Sequence, residues 1–372
     1  NYAQIKQLDN MFAEATSGLS PTLQNFFSAL QDVATNPSVI PSRQAMLSNA
    51  EALVARFQSM DQHMSQIREG VNTQITSSVV EINSLADQVA KINHQITLAE
   101  GAAGGQPAND MLDQRDELIN QLSKLINTDT IRQNDGTVNV YIGNGQALVV
   151  GSQTLSLKAI ASPDNPDNLT IGLMSGGNTI QLPERQVTGG ALSGILSFRS
   201  VTLDSAQNAL GRIAMTLAQT FNEQHQLGID LNGDMGGDFF SVSSPKVTSA
   251  LTNDSTSNIT AGISDFSALT TSNYRFSYDG INYTLTRLSD NSSISTSVAP
   301  SGATPLTLDG VSVTGATILP NEKFLIQPTA SGAKNIAVNI TDTTKIAAAG
   351  PNRTSAALSN TGTGAISAGT VN

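Results

Sequence analysis

Between Ser42 and Glu100 the chain contains no proline, and its apolar residues fall at Met64, Ile67, Val71, Ile75, Val79, Ile82, Leu85, Val89, Ile92 and Ile96. Steps of three and four residues place all ten on one stripe of an α-helix, with a slip in heptad phase near Ile75 to Val79. Such a helix runs about 90 Å at 1.5 Å per residue, far longer than a globular domain needs, so it must pack along a rod. Its polar faces are Gln, Asn, Ser and Thr rather than the Glu and Lys of a free surface helix.

Partners for the stripe are present in the same chain. ANDMLDQRDELINQLSKLIN, residues 108 to 127, offers Asn109 as a cap and Met111, Leu118, Leu122 and Leu125 as one face. The linker GAAGGQP before it makes an antiparallel hairpin natural. A third helix is expected over about 200 to 227, where Leu203, Ala206, Leu210, Ile213, Leu217 and Phe221 again step by threes and fours. Residues 1 to 35 read as two short helices broken at Ser20 and Pro21, with Ser20 as cap and Pro21 at the first helical position.

The β signals are separate. VNVYIGNGQALVVG, residues 138 to 151, alternates around Asn144-Gly145, a two-residue hairpin signal, and short strands continue to about Leu182. Beyond residue 240 the pattern is β throughout. YRFSYDGINYTLTR turns at Asp279-Gly280, PLTLDGVSVTG turns at Asp309-Gly310, and FLIQPT and NIAVNIT read as further strands. The expected fold is α+β and multidomain, an elongated coiled-coil-like helical bundle followed by antiparallel β domains. The domains are 1–127 with 186–228 as the helical rod, 128–185 as an attached β-hairpin segment, 229–350 as a β-rich outer domain, and 351–372 as an irregular end.

The stretch FNEQHQLGIDLNGDMGGDFF, residues 221 to 240, raises the question of calcium, because Asp230, Asn232 and Asp234 alternate and Asp238 follows. A loop of the EF-hand kind needs a glycine at position six and a bidentate glutamate at position twelve. Counted from Asp230, those positions hold Met235 and Ser241, so a Gly- and Asp-rich turn after a helix is the expectation. His225 is read as a lone histidine favouring the dipole at a helix C-terminus, and the other two, His63 and His94, lie far away in the long helix.

Composition narrows the function classes. There is no cysteine, which removes disulfides, thiolate catalysis and zinc-thiolate sites. Aromatics make up 4% and tryptophan is absent, so the cores are aliphatic and a deep ligand pocket is disfavoured. The formal net charge is −11; residues 1 to 240 carry 23 acidic and 12 basic side chains, and the remainder carries seven of each. That balance disfavours nucleic acid and anionic membrane as partners. No G-x-S-x-G, P-loop or H-E-x-x-H motif occurs, and GTGAIS near the C-terminus puts Ser367 where a dinucleotide loop needs its third glycine. Asp113, Asp116 and Glu117 beside Arg115 read as a solvated helix face. No catalytic, cofactor-binding or metal-binding residue is assigned, and an enzyme would need a dispersed site.

Four segments in order, NDMLDQRDELINQLS at 109 to 123, VYIGNGQALVVG at 140 to 151, GGALSGILSFR at 189 to 199 and FNEQHQLGIDLNGDMGGDFF at 221 to 240, together resemble the flagellar hook-associated protein 1 (FlgK) family. That resemblance implies a non-enzymatic structural protein of the bacterial flagellum, joining hook to filament. It implies a helical inner domain, exposed β-domains, and an extracellular place reached by export without a cleavable signal peptide. The partners it implies are the flagellar hook protein, other hook-associated proteins and, before assembly, an export chaperone. The family's terminal helices have no counterpart in the segments matched, so this chain is expected to be a monomeric core that does not polymerise alone. The alternative class is a surface adhesin or fibre with a helical stalk and a β head, whose stalk would trimerise through a continuous heptad.

Overall fold

The computed structural model describes residues 5–6, 18–102, 104 and 106–350. The expected first helix within residues 1 to 17 and the irregular end at 351–372 lie outside the described residues, apart from Ile5 and Lys6. The helices are α1 (Leu19–Thr35), α2 (Ile40–Ala102), α3 (Asn109–Leu125), α4 (Gly190–Ser197), α5 (Asp204–Gln226) and the single turn α6 (Gly332–Asn335). Strands β1 to β7 lie between α3 and α4, and β8 to β15 lie between α5 and α6. The protein is thus α+β, with helices followed by antiparallel sheets. It divides into two compact units; the described parts of one fall in residues 65–204 and 249–252, and those of the other in residues 4–64, 205–248 and 253–350.

In the first unit, β1 (Thr128–Arg132), β2 (Val138–Ile142), β3 (Gln146–Val150) and β4 (Gln153–Thr154) form a four-stranded meander. A second meander joins β5 (Leu157–Ala161), β6 (Leu169–Ser175) and β7 (Asn178–Leu182). The apolar stripe of α2 is buried from Met64 to Ile96, at all ten positions expected. A helix backbone has already spent its hydrogen bonds internally, so it cannot pair with a sheet, and only side chains can make that joint. Three asparagines do so, about three turns apart along α2.

Asn93 accepts from the Val138 N–H at 3.2 Å and donates to the Val138 carbonyl at 2.8 Å and the Gly151 carbonyl at 2.7 Å. Asn83 accepts from the Leu157 N–H at 2.8 Å and donates to the Leu157 carbonyl at 2.9 Å. Asn72 accepts from the Leu169 N–H and donates to the Asp167 carbonyl, both at 3.2 Å. Val138, Leu157 and Leu169 are the first residues of β2, β5 and β6. A primary amide offers one acceptor and two donors in the layout of a peptide group, so each asparagine stands in for a missing neighbouring strand. Three of the four asparagines of α2 serve in this way.

Arg115 departs from the solvated face expected of it. Asp113, Asp116 and Glu117 are exposed, but Arg115 is buried and its Nη1 donates to Asn93 Oδ1 and to the Gly136 carbonyl. Residues 93 and 115 thus meet across the α2–α3 connection. On the expected face of α3 only Leu122 is fully buried. Caps also differ: Gly18 and Ala108, not Ser20 and Asn109, precede α1 and α3, and neither makes a side-chain cap bond. Pro21 sits in the first turn of α1, where its missing N–H breaks no helical bond.

The third helix begins earlier than expected. α4 runs into a π-helical stretch, Phe198–Leu203, and then into α5. The π stretch carries buried Arg199, which donates to the Leu169 carbonyl and to Glu184, both at 2.6 Å. The buried stripe keeps Leu203 and Leu210 as expected, but along α5 it departs from the rest of the expected face. Ile213 is exposed, and Gly211, Ala214, Met215, Ala218, Asn222 and His225 are buried. Small residues are needed because the Thr329 carbonyl lies directly against Gly211, where a Cβ would collide with it.

Strands β8 (Lys246–Ser249), β9 (Asn258–Ile263), β10 (Tyr274–Tyr278), β11 (Tyr283–Arg287), β12 (Ser293–Thr296), β13 (Leu306–Leu308), β14 (Val311–Thr317) and β15 (Glu322–Gln327) form a five-stranded sheet of order β12-β11-β10-β15-β8 and a three-stranded sheet β13-β14-β9, which share one core. Tyr274 and Phe276 on β10, Leu285 on β11 and Phe324 and Ile326 on β15 meet Val311 and Val313 on β14. Asp309-Gly310 is the expected two-residue turn, with φ of 50° and 74°. Its aspartate accepts from Tyr274 Oη and Arg287 Nη1, both at 2.8 Å. Asn144-Gly145 is not such a turn. Ile142 pairs with Gln146, leaving a three-residue loop in which Gly143 and Gly145 take the left-handed positions. NIAVNIT is not a strand either: Asn335 ends α6, and only an isolated bridge from Val338 to Phe240 follows.

Replacing Asn93 by alanine strands the Val138 N–H and C=O away from water and removes one of the two acceptors of Arg115 Nη1, which keeps the Gly136 carbonyl. We expect guanidinium unfolding of this unit to show a loss of about 2–3 kcal/mol, against about 0.5 kcal/mol or less for exposed Gln95→Ala.

Candidate functional site

Aromatic side chains are scarce in this sequence, yet four phenylalanines and a histidine gather in the second unit where α5 ends. Phe221 lies 4.9 Å from Phe239 and 5.4 Å from Phe240 between ring centroids, and Phe26 of α1 lies 5.8 Å from Phe240. The run between residues 221 and 240 is therefore a closed loop whose two ends pack on each other. Asn222 ties the ends as the α2 asparagines tie strands: its Oδ1 accepts from the N–H of Phe239 and Phe240 at 2.9 and 2.8 Å, and its Nδ2 donates to the Phe240 carbonyl at 2.7 Å.

The acidic residues of the loop have local employment. Asp230 accepts from the N–H of Asn232 at 2.8 Å and of Asp234 at 2.9 Å, and from the Asn232 amide at 3.2 Å. Burial pushes its carboxyl up, but the bonds from Asp234 and Asn232 outweigh this and hold it below the usual carboxylate range. Asp238 accepts from Gln226 at 2.6 Å. Asn232, Asp234 and Met235 are exposed, and Ser241 has left the loop to hydrogen-bond the Asn335 carbonyl. Among the described residues, no group of three or more His, Cys, Asp or Glu is placed to hold a metal ion. The run shapes a turn.

His225 differs from expectation. It is not a cation at a helix end but a buried ring with both nitrogens committed. The Ala347 N–H donates to Nε2 at 2.8 Å, so Nδ1 carries the proton and donates to the Gly237 carbonyl at 2.7 Å. Burial lowers its pKa first, and Arg43 adds to this; the bond to Gly237 and the charges of Asp230 and Asp238 act the other way without reversing it. The other histidines, His63 and His94, are exposed on α2. Sequence reasoning also missed Arg43, which is fully buried and whose Nη1 donates to the Thr343 and Ile346 carbonyls at 2.9 and 2.7 Å. Nothing in its local pattern announces a partner some 300 residues away.

Beside this knot runs an apolar groove of about 980 Å³, walled by Phe27, Leu30 and Ala34 of α1, Leu217 and Leu227, and the segment from Ile346 to Gly350. Thr220, Glu223 and Gln224 of α5 supply its polar lining, and the rest is mostly apolar, a surface suited to packing against protein.

Comparison with known proteins decides the family. The profile described as the flagellar hook-associated protein FlgK helical domain matches residues 5–240. The chain belongs to the FlgK family, that of flagellar hook-associated protein 1. A second profile, the D2-like domain of flagellar hook-associated protein 1, matches residues 248–328, which hold the core of the two-sheet region. The flagellar hook-associated protein 1 of Salmonella typhimurium is 37% identical over 352 residues, covering 94% of this chain and 63% of the relative. That of Escherichia coli is 36% identical over 350 residues, covering 94% and 64%. A solved structure, that of the flagellar hook junction protein FlgK from Burkholderia pseudomallei, superposes with a TM-score of 0.85 at 35% identity, over 93% of this chain and 63% of the other. The chain spans a little under two thirds of the length of these FlgK relatives.

The bonding of Asp230 generates a direct expectation. Calcium at about 1 mM should leave the melting temperature within about 1 °C, because its carboxylate is already engaged with three N–H donors; a rise of several degrees would mean a ligand set had formed there.

Proposed function

We propose that this chain is a structural segment of the bacterial flagellum that works at the junction between hook and filament through protein–protein contacts. The observation that carries the reading is the ordered match of both FlgK profiles, over residues 5–240 and 248–328. On this reading it has no catalytic role, its neighbours are the hook protein and other hook-associated proteins, and its place is outside the cell, reached by export without a cleaved signal peptide. An export chaperone before assembly belongs to the same proposal. So does the domain organisation read from the sequence, with residues 229–350 as an outer β-rich domain.

The stalk-adhesin alternative fares worse on the apolar stripe of α2. A trimeric stalk keeps its heptad positions for other chains, whereas here Met64 to Ile96 are buried by one chain alone. Sedimentation equilibrium of the 372-residue chain should therefore return the mass of one copy, 38.8 kDa. A trimer would favour the stalk.

The location itself is tested by labelling flagella of the source bacterium with gold-conjugated antibody raised against residues 248–328. We expect label confined to a short band between hook and filament. Label spread over the cell surface, or along the whole filament, would overturn the reading.

A further inference from the structure

We propose that His225 is a protonation-sensitive latch that holds the segment Asp342 to Ala349 against α5, and that mild acid releases this segment. The segment is fastened at four places. Arg43 Nη1 donates to the Thr343 and Ile346 carbonyls, the Leu231 N–H donates to the Thr344 carbonyl at 3.0 Å, and Ile229 exchanges backbone bonds with Ala349 at 2.8 and 3.3 Å. The fourth fastening is the Ala347 N–H on His225 Nε2. Arg43 keeps its charge and the peptide groups do not titrate between neutrality and mild acid, so the imidazole bond alone is sensitive there.

The ring has no escape by rotation. Its Nδ1–H is held by the Gly237 carbonyl, and the ring lies 6.1 Å from Phe221 and 5.6 Å from Phe239 between centroids. A Cβ on Gly236 would collide with the His225 carbonyl, so the loop is closed down on this residue. When Nε2 gains a proton it becomes a donor facing the Ala347 N–H, and one hydrogen bond turns into a donor–donor conflict. Arg43, from α2, opposes the new charge, and Asp230 and Asp238, from the loop, favour it. The segment offers no carboxylate between Ile346 and Ala349 to accept the proton's bond; its charged residues, Asp342 and Lys345, precede that stretch, and Asp342 already accepts from Thr344. α1 faces the groove with Phe27, Leu30 and Val33, which carry no charge, and α5 adds Glu223, whose carboxylate accepts from Gln219 at 2.8 Å.

The sign follows from linkage. The folded pKa is lowered below 6.5, so the released state binds the proton more readily than the latched one. The latch is at full strength above pH 6.5, weakens as pH falls through that value, and stops weakening once pH is below the depressed folded pKa. Because Ile346 to Gly350 form one wall of the apolar groove, release also uncovers more of the half-buried Leu217.

The test is amide hydrogen exchange of Ala347 and its neighbours in the 372-residue chain, at about pH 7.5 and about pH 5, corrected for the intrinsic rate at each pH. We expect the opening constant of Ala347 to rise by up to about tenfold per pH unit below 6.5, with no such rise at Phe276 or Ile326 in the β core. In His225→Gln that pH dependence should vanish, whatever the absolute protection. Equal corrected protection at both pH values in the parent chain, or an unchanged pH dependence in H225Q, would overturn the proposal. If H225Q does not fold, nitrogen NMR of the parent ring decides. The proposal requires an Nδ1–H neutral ring at neutrality and ring protonation that coincides with the rise in Ala347 exchange; protonation without that rise overturns it.

Discussion

Where strands begin against the flank of a long helix, their outward N–H and C=O groups need partners that the helix backbone cannot supply, and in this protein asparagine side-chain amides supply them. Asn72, Asn83 and Asn93 each meet the N–H and C=O of a strand's first turn of chain, and without them the starts of β2, β5 and β6 would present unpaired peptide groups to an apolar helix face. The same device recurs in the second unit. Asn222 closes the loop after α5, and Asn253 accepts from the Lys323 N–H and donates to its carbonyl. Asparagine suits the task better than glutamine, since its shorter arm loses less rotamer freedom when fixed.

Fixing strands by side chains leaves the apolar stripe of α2 free for its own work, which is burial. The aliphatic interior this produces has few convergent polar groups, and its charged members serve the frame. Arg115 reinforces Asn93, Arg199 ties the π stretch to β6, and Arg43 gathers the segment near residue 345. Each is a buried guanidinium spent on backbone carbonyls, a use that rewards rigidity rather than turnover. This is the kind of interior expected of a family whose named members are flagellar hook-associated proteins.

How much of this could be read from the sequence depends on whether the signal was periodic or tertiary. The stripe from Met64 to Ile96 was legible in full, because ten residues repeating at helical spacing admit one interpretation. Asp309-Gly310 was legible for a similar reason: both residues tolerate positive φ. Asn144-Gly145 misled because Gly143 also tolerates it, which lengthens the loop by one residue. NIAVNIT alternates as a strand would, yet among the described residues its strand pairing is limited to one bridge at Val338. The stripe of α5 was legible at Leu203 and Leu210 but not beyond, because Thr329 and Gly332 approach from far along the chain and leave no room for a side chain at Gly211. His225 and Arg43 were out of reach for the same reason, since their partners lie 122 and 300 or more residues away.

The claim on which the rest depends is that side-chain amides serve as strand partners. Amide exchange at Val138, Leu157 and Leu169 measures it most directly, since each N–H donates to an asparagine of α2. If the account holds, Val138 and Leu157 exchange as slowly as amides inside the ladders of β6, such as Leu173, and Leu169 follows closely. Exchange of all three at rates typical of free loop amides would contradict it.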